Sequence, residues 1–474
     1  MENLIKVITD VNSAVNSFAW GPIMLALLVG TGIYLSIITG FIQVRKFGYI
    51  MKNTIFSLFK KSDKEHGANL SPFQAVTTAL AGTVGTGNIA GVTGAIFVGG
   101  PGAVFWMWVS AFFGMCTKYA EIALSVKYRE KDSQGRNHGG PMYYITNGLG
   151  KNFTWLAVIF AILGTLASFG IGNIAQSSEI TGAVRGIFGL ESNMTVNVII
   201  GVALAVLVGV VVIGGVKRIG QVTSYLVPFM AIFYIIAGIL VIILRITDVP
   251  AAFGKIFTEA FSFKSVGGGI FGYVIMTAMR QGFARGVFSN EAGLGSAPIA
   301  HAASSTDEPI EQAIWGVFEV FIDTIVICTI TGLTVVLAGF ELTAENLATF
   351  SSKGAAAVTA FNEILPGTLG GTIIEISLVF FALSTILGWS YYGGSCWSYL
   401  TKNNKIADIA YKLIFIAVCV VGATGSGTLM WDIADTLNGL MALPNLIALI
   451  PLAGVVAKLT KDYFDKVDTK KLDK

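Results

Sequence analysis

The stretch AGTVGTGNIAG at residues 81–91 places four glycines, two threonines and an asparagine inside an otherwise apolar segment. Such a run is poorly suited to a continuous helix, because glycine and short polar residues are weak helix formers. Gly85, Gly87 and Gly91 lack the GxGxxG spacing of a dinucleotide-binding loop, and no strand pattern precedes them. The run is therefore a candidate break within a helix.

The composition around this break is that of a membrane protein. The 474 residues are 54% hydrophobic and 12% charged, with a mean hydropathy of +0.72, whereas soluble domains carry roughly 25% charged residues. At about 20 apolar residues per span, the sequence predicts an all-α polytopic membrane protein with about 11 transmembrane helices. The predicted spans are 17–41, 73–97, 101–125, 153–178, 196–214, 220–244, 269–302, 307–336, 366–395, 405–425 and 433–457. The first is expected to be a retained helix rather than a signal peptide, since no cleavage pattern follows it.

Lysine and arginine are concentrated in the loops of one side of this arrangement, namely 42–66, 127–151 and the tail from Lys458. Cytoplasmic loops are enriched in these residues. The sequence therefore predicts an outer N-terminus and a cytoplasmic C-terminus in the cell membrane. Residues 42–66 are expected to lie on the inner surface, where their lysines meet anionic membrane lipid.

A second interrupted span, 269–302, contains FSNEAGLGSAP at residues 288–298. With five spans between the starts of the two broken helices, they begin on opposite sides of the membrane, as in two five-helix repeats of inverted topology. The sequence therefore predicts four units. Residues 1–66 form an extra N-terminal helix with a basic amphipathic segment, 67–268 the first repeat, 269–457 the second repeat and 458–474 a cytoplasmic tail.

A helix break in lipid is tolerated only where protein or a polar cavity surrounds it. Unwound N–H groups and a half-helix N-terminus then attract an anion, and freed carbonyl oxygens bind a cation. A zwitterion and a metal ion suit such a site together. The alternative is that the glycines only permit close helix packing, which we favour for Gly91 and Gly94 but not for Gly85, Gly87 and Asn88.

Several stretches resemble the alanine or glycine:cation symporter family, and together they cover nearly the whole chain. They are TGNIAG at 86–91, GGPGAVFWMWVSAFFG at 99–114, GGPMYY at 139–144, FSNEAGLGSAP and STILGWSYYG at 384–393. The resemblance implies a prokaryotic plasma-membrane protein with the LeuT-type fold of five plus five helices. It also implies transport of small amino acids, alanine or glycine, coupled to Na⁺ or sometimes to H⁺.

The resemblance also implies roles for single residues. Gly85, Thr86, Gly87 and Asn88 match the unwound segment in which backbone amides hold the substrate carboxylate and the asparagine helps to hold sodium. Phe288 matches a gating aromatic residue, and Ser289 after it offers a hydroxyl. The paired hydroxyls of a second sodium site are matched by Ser384 and Thr385, with carbonyl oxygens near Ala81 and Val84.

Further candidates come from the breaks themselves. Asn290 and Glu291 are candidate substrate ligands, but Glu291 could instead pair with Arg280 or Arg285 or cap the next half-helix. An aromatic wall of Phe169, Phe288 and Trp389 would leave room only for a methyl group or a hydrogen, unless these rings are ordinary helix packing.

Two other functional classes remain to be weighed. A passive channel also uses broken helices, but paired inverted breaks favour a carrier. An enzyme is not expected, since no zinc, nucleophile or P-loop motif is present, and neither ATP nor nucleic acid is expected as a partner. For Asp323 two alternatives are open: it relays a proton, or it forms half of a buried ion pair.

Overall fold

The computed structural model describes residues 2–55, 67–261, 271–350, 352–425 and 428–472, and almost all of these are helical. The first helices are α1 (Glu2–Ala19), α2 (Pro22–Ile38), α3 (Ile42–Arg45), α4 (Phe47–Ile55), α5 (Pro72–Thr83), α6 (Val92–Gly99) and α7 (Gly102–Lys127). A small hairpin follows, in which β1 (Glu130–Lys131) pairs antiparallel with β2 (Asn137–His138).

The middle of the chain contains α8 (Pro141–Tyr144), α9 (Thr154–Phe169), α10 (Ala175–Phe188), α11 (Met194–Val212), α12 (Gly215–Leu244) and α13 (Val249–Ala260). The last part contains α14 (Phe271–Asn290), α15 (Ala297–Ala302), α16 (Pro309–Val320), α17 (Thr329–Leu337), α18 (Ala344–Leu347), α19 (Lys353–Asn362), α20 (Leu369–Leu400), α21 (Lys405–Thr424) and α22 (Thr428–Leu472). Four π-helical turns lie between these helices, at Gly87–Gly91, Ile145–Leu149, Gly170–Ile174 and Phe321–Cys328.

Within the described residues, eight helical segments are long and apolar enough to cross a membrane, or nine with the bent helix at Pro72–Gly99. The prediction of an all-α polytopic membrane protein is confirmed. The described residues of predicted spans 101–125 and 269–302 form α7 and, on either side of a break, α14 and α15, but these helices fall outside this apolar set. The count of eleven, and the division into two repeats, a leading segment and a tail, stay predictions. Residues 56–66 and 262–270, which belong to the predicted amphipathic segment and to the repeat junction, lie outside the described residues.

The first predicted break is present between α5 and the turn at Gly87, where the axis bends by 47°. Ser71 and Gln74 form a capping box at the start of α5, and Val84 leaves the helical conformation at its end. A Cβ on Gly85 would overlap the hydroxyl oxygen of Thr385 on α20. Glycine is therefore needed at this position because α20 approaches the unwound backbone so closely.

The second predicted break separates α14 from α15. Three of its residues have left-handed backbone conformations, with φ of 56° at Glu291, 91° at Gly293 and 81° at Gly295. Glycine adopts these angles without steric cost, whereas Glu291 is a strained exception. Such strain persists only where surrounding contacts hold it, and it is concentrated at functional sites.

Candidate functional site

A small cavity lies between the two breaks. Seven residues predicted for the site line it, and five further residues complete it. The predicted ones are Gly85, Thr86, Gly87, Phe288, Glu291, Thr385 and Trp389, and the others are Gly82, Thr83, Ile171, Gln176 and Asn438. The two glycine-containing breaks therefore meet at one buried space, although they are about 200 residues apart in the chain.

One wall of this cavity is the start of the half-helix that begins at Gly87 and continues through α6. The first N–H groups of a helix have no partner within the helix, and they carry positive partial charge. The Thr86 hydroxyl is fixed beside them by donating to Gln176 Oε1 at 3.1 Å. Gln176 is itself held by donating from Nε2 to the carbonyl oxygen of Ile171 at 3.0 Å. This wall is suited to an anionic group.

A negatively charged group is placed at the cavity by Glu291, which is buried in the second break. Trp389 Nε1 donates to Glu291 Oε1 at 3.0 Å, and the Ser296 hydroxyl donates to Oε2. The predicted pairing with arginine is not seen, because Arg285 Nη1 lies 3.7 Å from Asp435 Oδ1 and Arg280 Nε donates to the carbonyl oxygen of Trp20 at 3.4 Å. A carboxylate with neutral donors keeps its negative charge available to a cationic group in the cavity.

A polar cluster of Asn88, Ser289, Asp323, Asn290 and Thr324 lies behind the cavity. Asn88 Oδ1 accepts from the Gly85 N–H at 2.8 Å, and Asn88 Nδ2 donates to Ser289 Oγ at 2.8 Å and to Asp323 Oδ1 at 2.7 Å. The hydroxyls of Ser289 and Thr324 both donate to Asp323 Oδ2 at 2.8 Å. Asn290 Nδ2 donates to Thr324 Oγ1 at 3.0 Å, so Asn88, Ser289 and Asn290 belong to this cluster and do not line the cavity.

Asp323 holds the centre of that cluster from the π-helical turn Phe321–Cys328. No lysine, arginine or histidine lies within 4.0 Å of its carboxylate in the described part of the chain. Of the two predicted alternatives, the buried ion pair is therefore not formed. The cluster instead surrounds one carboxylate with hydroxyl and amide groups, which is an environment that can accept a cation or a proton.

The predicted hydroxyl pair lies on the other side of the first break. Ser384 Oγ is 3.5 Å from the carbonyl oxygen of Val84, while Ser384 and Thr385 both donate to the carbonyl oxygen of Phe381, at 2.8 and 2.9 Å. Gly388, one turn later, packs against the backbone of Ala81 and Gly82. Unwound carbonyl oxygens beside hydroxyls are the ligands that coordinate Na⁺ in broken-helix transporters. The residues present therefore fit a small oxygen-ligated cation.

Phe169 is the one predicted wall residue that the structure places elsewhere. Its ring packs against Tyr411 at 5.2 Å and Phe415 at 5.8 Å, both on α21. The chain turns into the π-helix Gly170–Ile174 directly after Phe169, and Ile171 of that turn faces the cavity instead. The expectation that Phe169 lines the substrate space is therefore not met in this conformation.

Sequence reasoning missed some of the residues that the structure brings to the cavity. Gln176 was recognisable as a polar group within an apolar span that could line the path or bond to a neighbouring helix, and it lies at the cavity, oriented by its hydrogen bond to Ile171. Gly82 and Thr83 directly precede the first break, so their position was a usable signal. Asn438 on α22 has no local motif around it.

Comparison with known proteins identifies the family. A profile of the sodium:alanine symporter family matches residues 5–474. The chain belongs to this family. It is 49% identical over 456 residues to the sodium/alanine symporter AgcS of Methanococcus maripaludis, covering 95% of this chain and 96% of that protein. It is 35% identical over 459 residues to the probable sodium/glutamine symporter GlnT of Bacillus subtilis, covering 97% and 91%.

Among solved structures, this chain resembles MhsT in complex with L-phenylalanine, with a TM-score of 0.55 at 14% sequence identity, covering 82% of this chain and 97% of that one. At this identity the likeness shows the fold alone, which is the expected LeuT-type fold. The family assignment makes this chain a multi-pass membrane transporter of amino acids and not an enzyme. The family includes a relative named for alanine and one named as a probable glutamine symporter.

Proposed function

We propose that this protein is a sodium-coupled symporter that imports small neutral amino acids, alanine and glycine, across the cell membrane. The supporting observation is the cavity between the breaks, which has helix N–H groups on one wall and the Glu291 carboxylate on another. A free amino acid is a zwitterion with a carboxylate and an ammonium group one carbon apart. Its carboxylate binds at the N–H groups of Thr86 and Gly87, and its ammonium binds toward Glu291.

The size of the side chain is limited by two aromatic rings. A Cβ on Gly87 would lie 3.1 Å from the Phe288 ring, so that ring already touches the wall that receives the carboxylate. Trp389 is 2% exposed and is fixed by its bond to Glu291. A larger substrate must displace one of these groups, whereas removing one methylene costs only about 1–3 kcal/mol of binding. Exclusion by size therefore selects alanine and glycine over branched amino acids.

Two groups of oxygen ligands support ion coupling. Ser384, Thr385 and the carbonyl oxygens near Ala81 and Val84 form one cation site. The second is the cluster of Asn88, Ser289 and Asp323, which touches the unwound segment through the Gly85 N–H. A cation there fixes the segment that receives the substrate carboxylate, so the ion and the amino acid bind more tightly together than apart.

Transport then follows from alternating access around a fixed site. The broken helices carry ligands for both solutes, so movement of these helices against the remaining bundle exposes substrate and ion together. On one side, Phe288 packs beneath the Arg285 guanidinium at 5.2 Å, and Arg285 reaches Asp435. These contacts close the cavity from that side and are expected to open with each cycle.

A binding measurement tests this proposal on the purified protein. Titration calorimetry in detergent, with glycine, alanine, 2-aminobutyrate and valine, is performed in NaCl and in KCl at equal ionic strength. The proposal predicts binding of glycine and alanine that weakens at least tenfold in KCl, and little binding of valine. Equal affinity in both salts would refute sodium coupling at this site. If affinity instead follows pH and not sodium, the Asp323 cluster binds a proton.

A further inference from the structure

A buried carboxylate outside the cavity holds the second break from behind. Glu121 lies on α7 and is fully buried. Its Oε1 atom accepts hydrogen bonds from the backbone N–H groups of Gly293 and Gly295, each at 3.1 Å, and from the side-chain amide of Asn445. Glu121 does not line the cavity, and the transport mechanism described above does not use it.

These contacts fall on the part of the break where two glycines have left-handed backbone conformations. Gly293 and Gly295 both have left-handed backbone conformations, so their N–H groups point away from any helical partner. Without an acceptor, a buried N–H group costs about 1–3 kcal/mol. A carboxylate is a strong acceptor for both, because hydrogen bonds to a charged oxygen are roughly twice as strong as neutral ones.

The charge of Glu121 has no ionic partner within 4.0 Å in the described part of the structure. Lys118, one turn earlier on α7, lies 3.2 Å from Glu319 on α16, and Glu319 is also 3.1 Å from His301. Among the same residues, the second oxygen of Glu121, Oε2, has no hydrogen-bond partner. A buried charge is costly unless it is compensated, so the two glycine N–H groups and Asn445 are its main compensation.

The support continues across three helices. Asn445 on α22 donates both to Glu121 and to the carbonyl oxygen of Gly293, the latter at 2.9 Å, and it accepts from the Tyr144 hydroxyl on α8. The N–H and the carbonyl of Gly293 are thereby held by the same pair of side chains. This arrangement fixes the peptide planes on both sides of Gly293.

Ser296 connects the backbone held by Glu121 to the cavity. Gly295, which Glu121 holds, directly precedes Ser296, and the Ser296 hydroxyl donates to Glu291 Oε2. The other oxygen of Glu291 is held by Trp389. The direction of the Glu291 carboxylate therefore depends on the backbone that Glu121 fixes.

We propose that Glu121 is a positioning residue for substrate binding, acting through Gly293, Gly295 and Ser296 on Glu291. This inference rests on the proposed function, because it assumes that Glu291 faces the substrate ammonium. When the break is loosened, only part of the population has Glu291 in the binding position. The apparent affinity then falls by that fraction, while the steps after binding are unchanged.

The experiment compares Glu121→Gln, Glu121→Ala and the control Tyr119→Phe with the wild-type protein. Tyr119 is also fully buried on α7, and its hydroxyl is 2.9 Å from Thr460 Oγ1, far from the break in its contacts. Initial rates of labelled alanine uptake into proteoliposomes give KM and Vmax per folded transporter. Hydrogen exchange of the peptide covering residues 291–296 is measured on the same preparations.

We expect the KM for alanine to rise about tenfold or more in Glu121→Ala. This is the effect expected from the loss of one hydrogen bond to a charged group. Glu121→Gln keeps an acceptor oxygen and gives an intermediate KM. Vmax stays within about twofold, and exchange of the 291–296 peptide accelerates in the same order. Tyr119→Phe changes neither KM nor this exchange.

Three results would overturn the inference. One is a wild-type KM in both Glu121 variants, and the second is an equal KM rise in Tyr119→Phe. The third is unchanged exchange of 291–296 in Glu121→Gln, a measurement that decides the matter even if Glu121→Ala fails to fold. Failure of wild-type protein to transport alanine would instead refute the proposed function.

Discussion

Replacing Asn88 with alanine should abolish transport without preventing membrane insertion. Asn88 Oδ1 is the acceptor for the Gly85 N–H, and Asn88 Nδ2 is the donor to Asp323 Oδ1. Truncation leaves both buried groups without these partners, while Ser289 still donates to Asp323 Oδ2. The unwound segment and the carboxylate behind it therefore lose the side chain that joins them.

The size of the effect follows from those two groups. A buried polar group left unsatisfied costs about 1–3 kcal/mol, so two of them cost about 2–6 kcal/mol. Since each 1.4 kcal/mol is a factor of ten, the binding-competent arrangement becomes roughly 30-fold to 10⁴-fold less populated. Water entering the space left by the side chain would bring the loss toward the lower value.

The assay is uptake of labelled alanine into proteoliposomes under an inward sodium gradient, with equal amounts of folded protein. Asn173→Ala is the matched control, because Asn173 is a buried asparagine that donates to the carbonyl oxygen of Phe415 at 2.7 Å and does not line the cavity. Asn173→Ala is expected to lower thermal stability and to retain sodium-driven uptake. Normal uptake by folded Asn88→Ala would refute the role of Asn88 in the site.

Three other predictions concern the ion site, the aromatic wall and the hairpin. Replacing Ser384 and Thr385 together with alanine should raise the sodium concentration for half-maximal uptake about tenfold or more, as for loss of hydrogen-bonding ligands to a charge. Trp389→Phe should raise the KM for alanine by a similar factor, because it removes the 3.0 Å hydrogen bond to Glu291, and should improve competition by 2-aminobutyrate. At Asp132, burial alone would raise the pKa, but the hydrogen bonds to its carboxylate from Arg136, His138 and the Gln134 N–H together outweigh it, and the pKa lies well below its usual range. Its stabilising contribution is therefore present above the unfolded pKa of about 4 and lost as pH falls through the lower folded value, so Asp132→Asn should accelerate hydrogen exchange in the hairpin at pH 7.

Matched controls exist on the same helix. Ser377 on α20 donates to the carbonyl oxygen of Ile373 at 2.8 Å, and Trp397 Nε1 donates to the carbonyl oxygen of Ala407 at 2.9 Å. Ser377→Ala should leave sodium activation unchanged, and Trp397→Phe should leave the alanine KM unchanged. Equal effects in these controls would assign the changes to general helix packing. For the hairpin, identical exchange in Asp132→Asn and wild type at pH 7 would contradict the account.

Both helix breaks could be predicted from the sequence, because clustered glycine and asparagine residues disfavour a continuous helix even within an apolar span. The position of Gly85 to Asn88 at this break followed from the same local pattern, whereas their roles toward substrate and ion stay predictions. Ser384 and Thr385 needed the family resemblance, since two hydroxyls within a helix usually bond to their own backbone, as these also do.

Other parts of the site depend on contacts between residues that are far apart in the chain. The π-helical turns at Gly170–Ile174 and Phe321–Cys328 place Ile171 at the cavity and Asp323 beside Asn88. The turn at Gly170–Ile174 has the sequence GIGNI, a glycine and asparagine pattern like the GTGNI of the first break, but no break was predicted there, so Phe169 was expected where Ile171 lies. The turn at Phe321–Cys328, FIDTIVIC, has no such pattern. Glu121 is a similar case, because its partner Gly293 is 172 residues away.

The most direct test of sodium-coupled symport is accumulation of labelled alanine in proteoliposomes of the purified protein. An inward sodium gradient is compared with potassium at equal pH on both sides, and a proton gradient is applied separately. The account predicts accumulation above the external concentration with the sodium gradient alone. Accumulation only with the proton gradient, or equilibration under every gradient as in a passive channel, would contradict it.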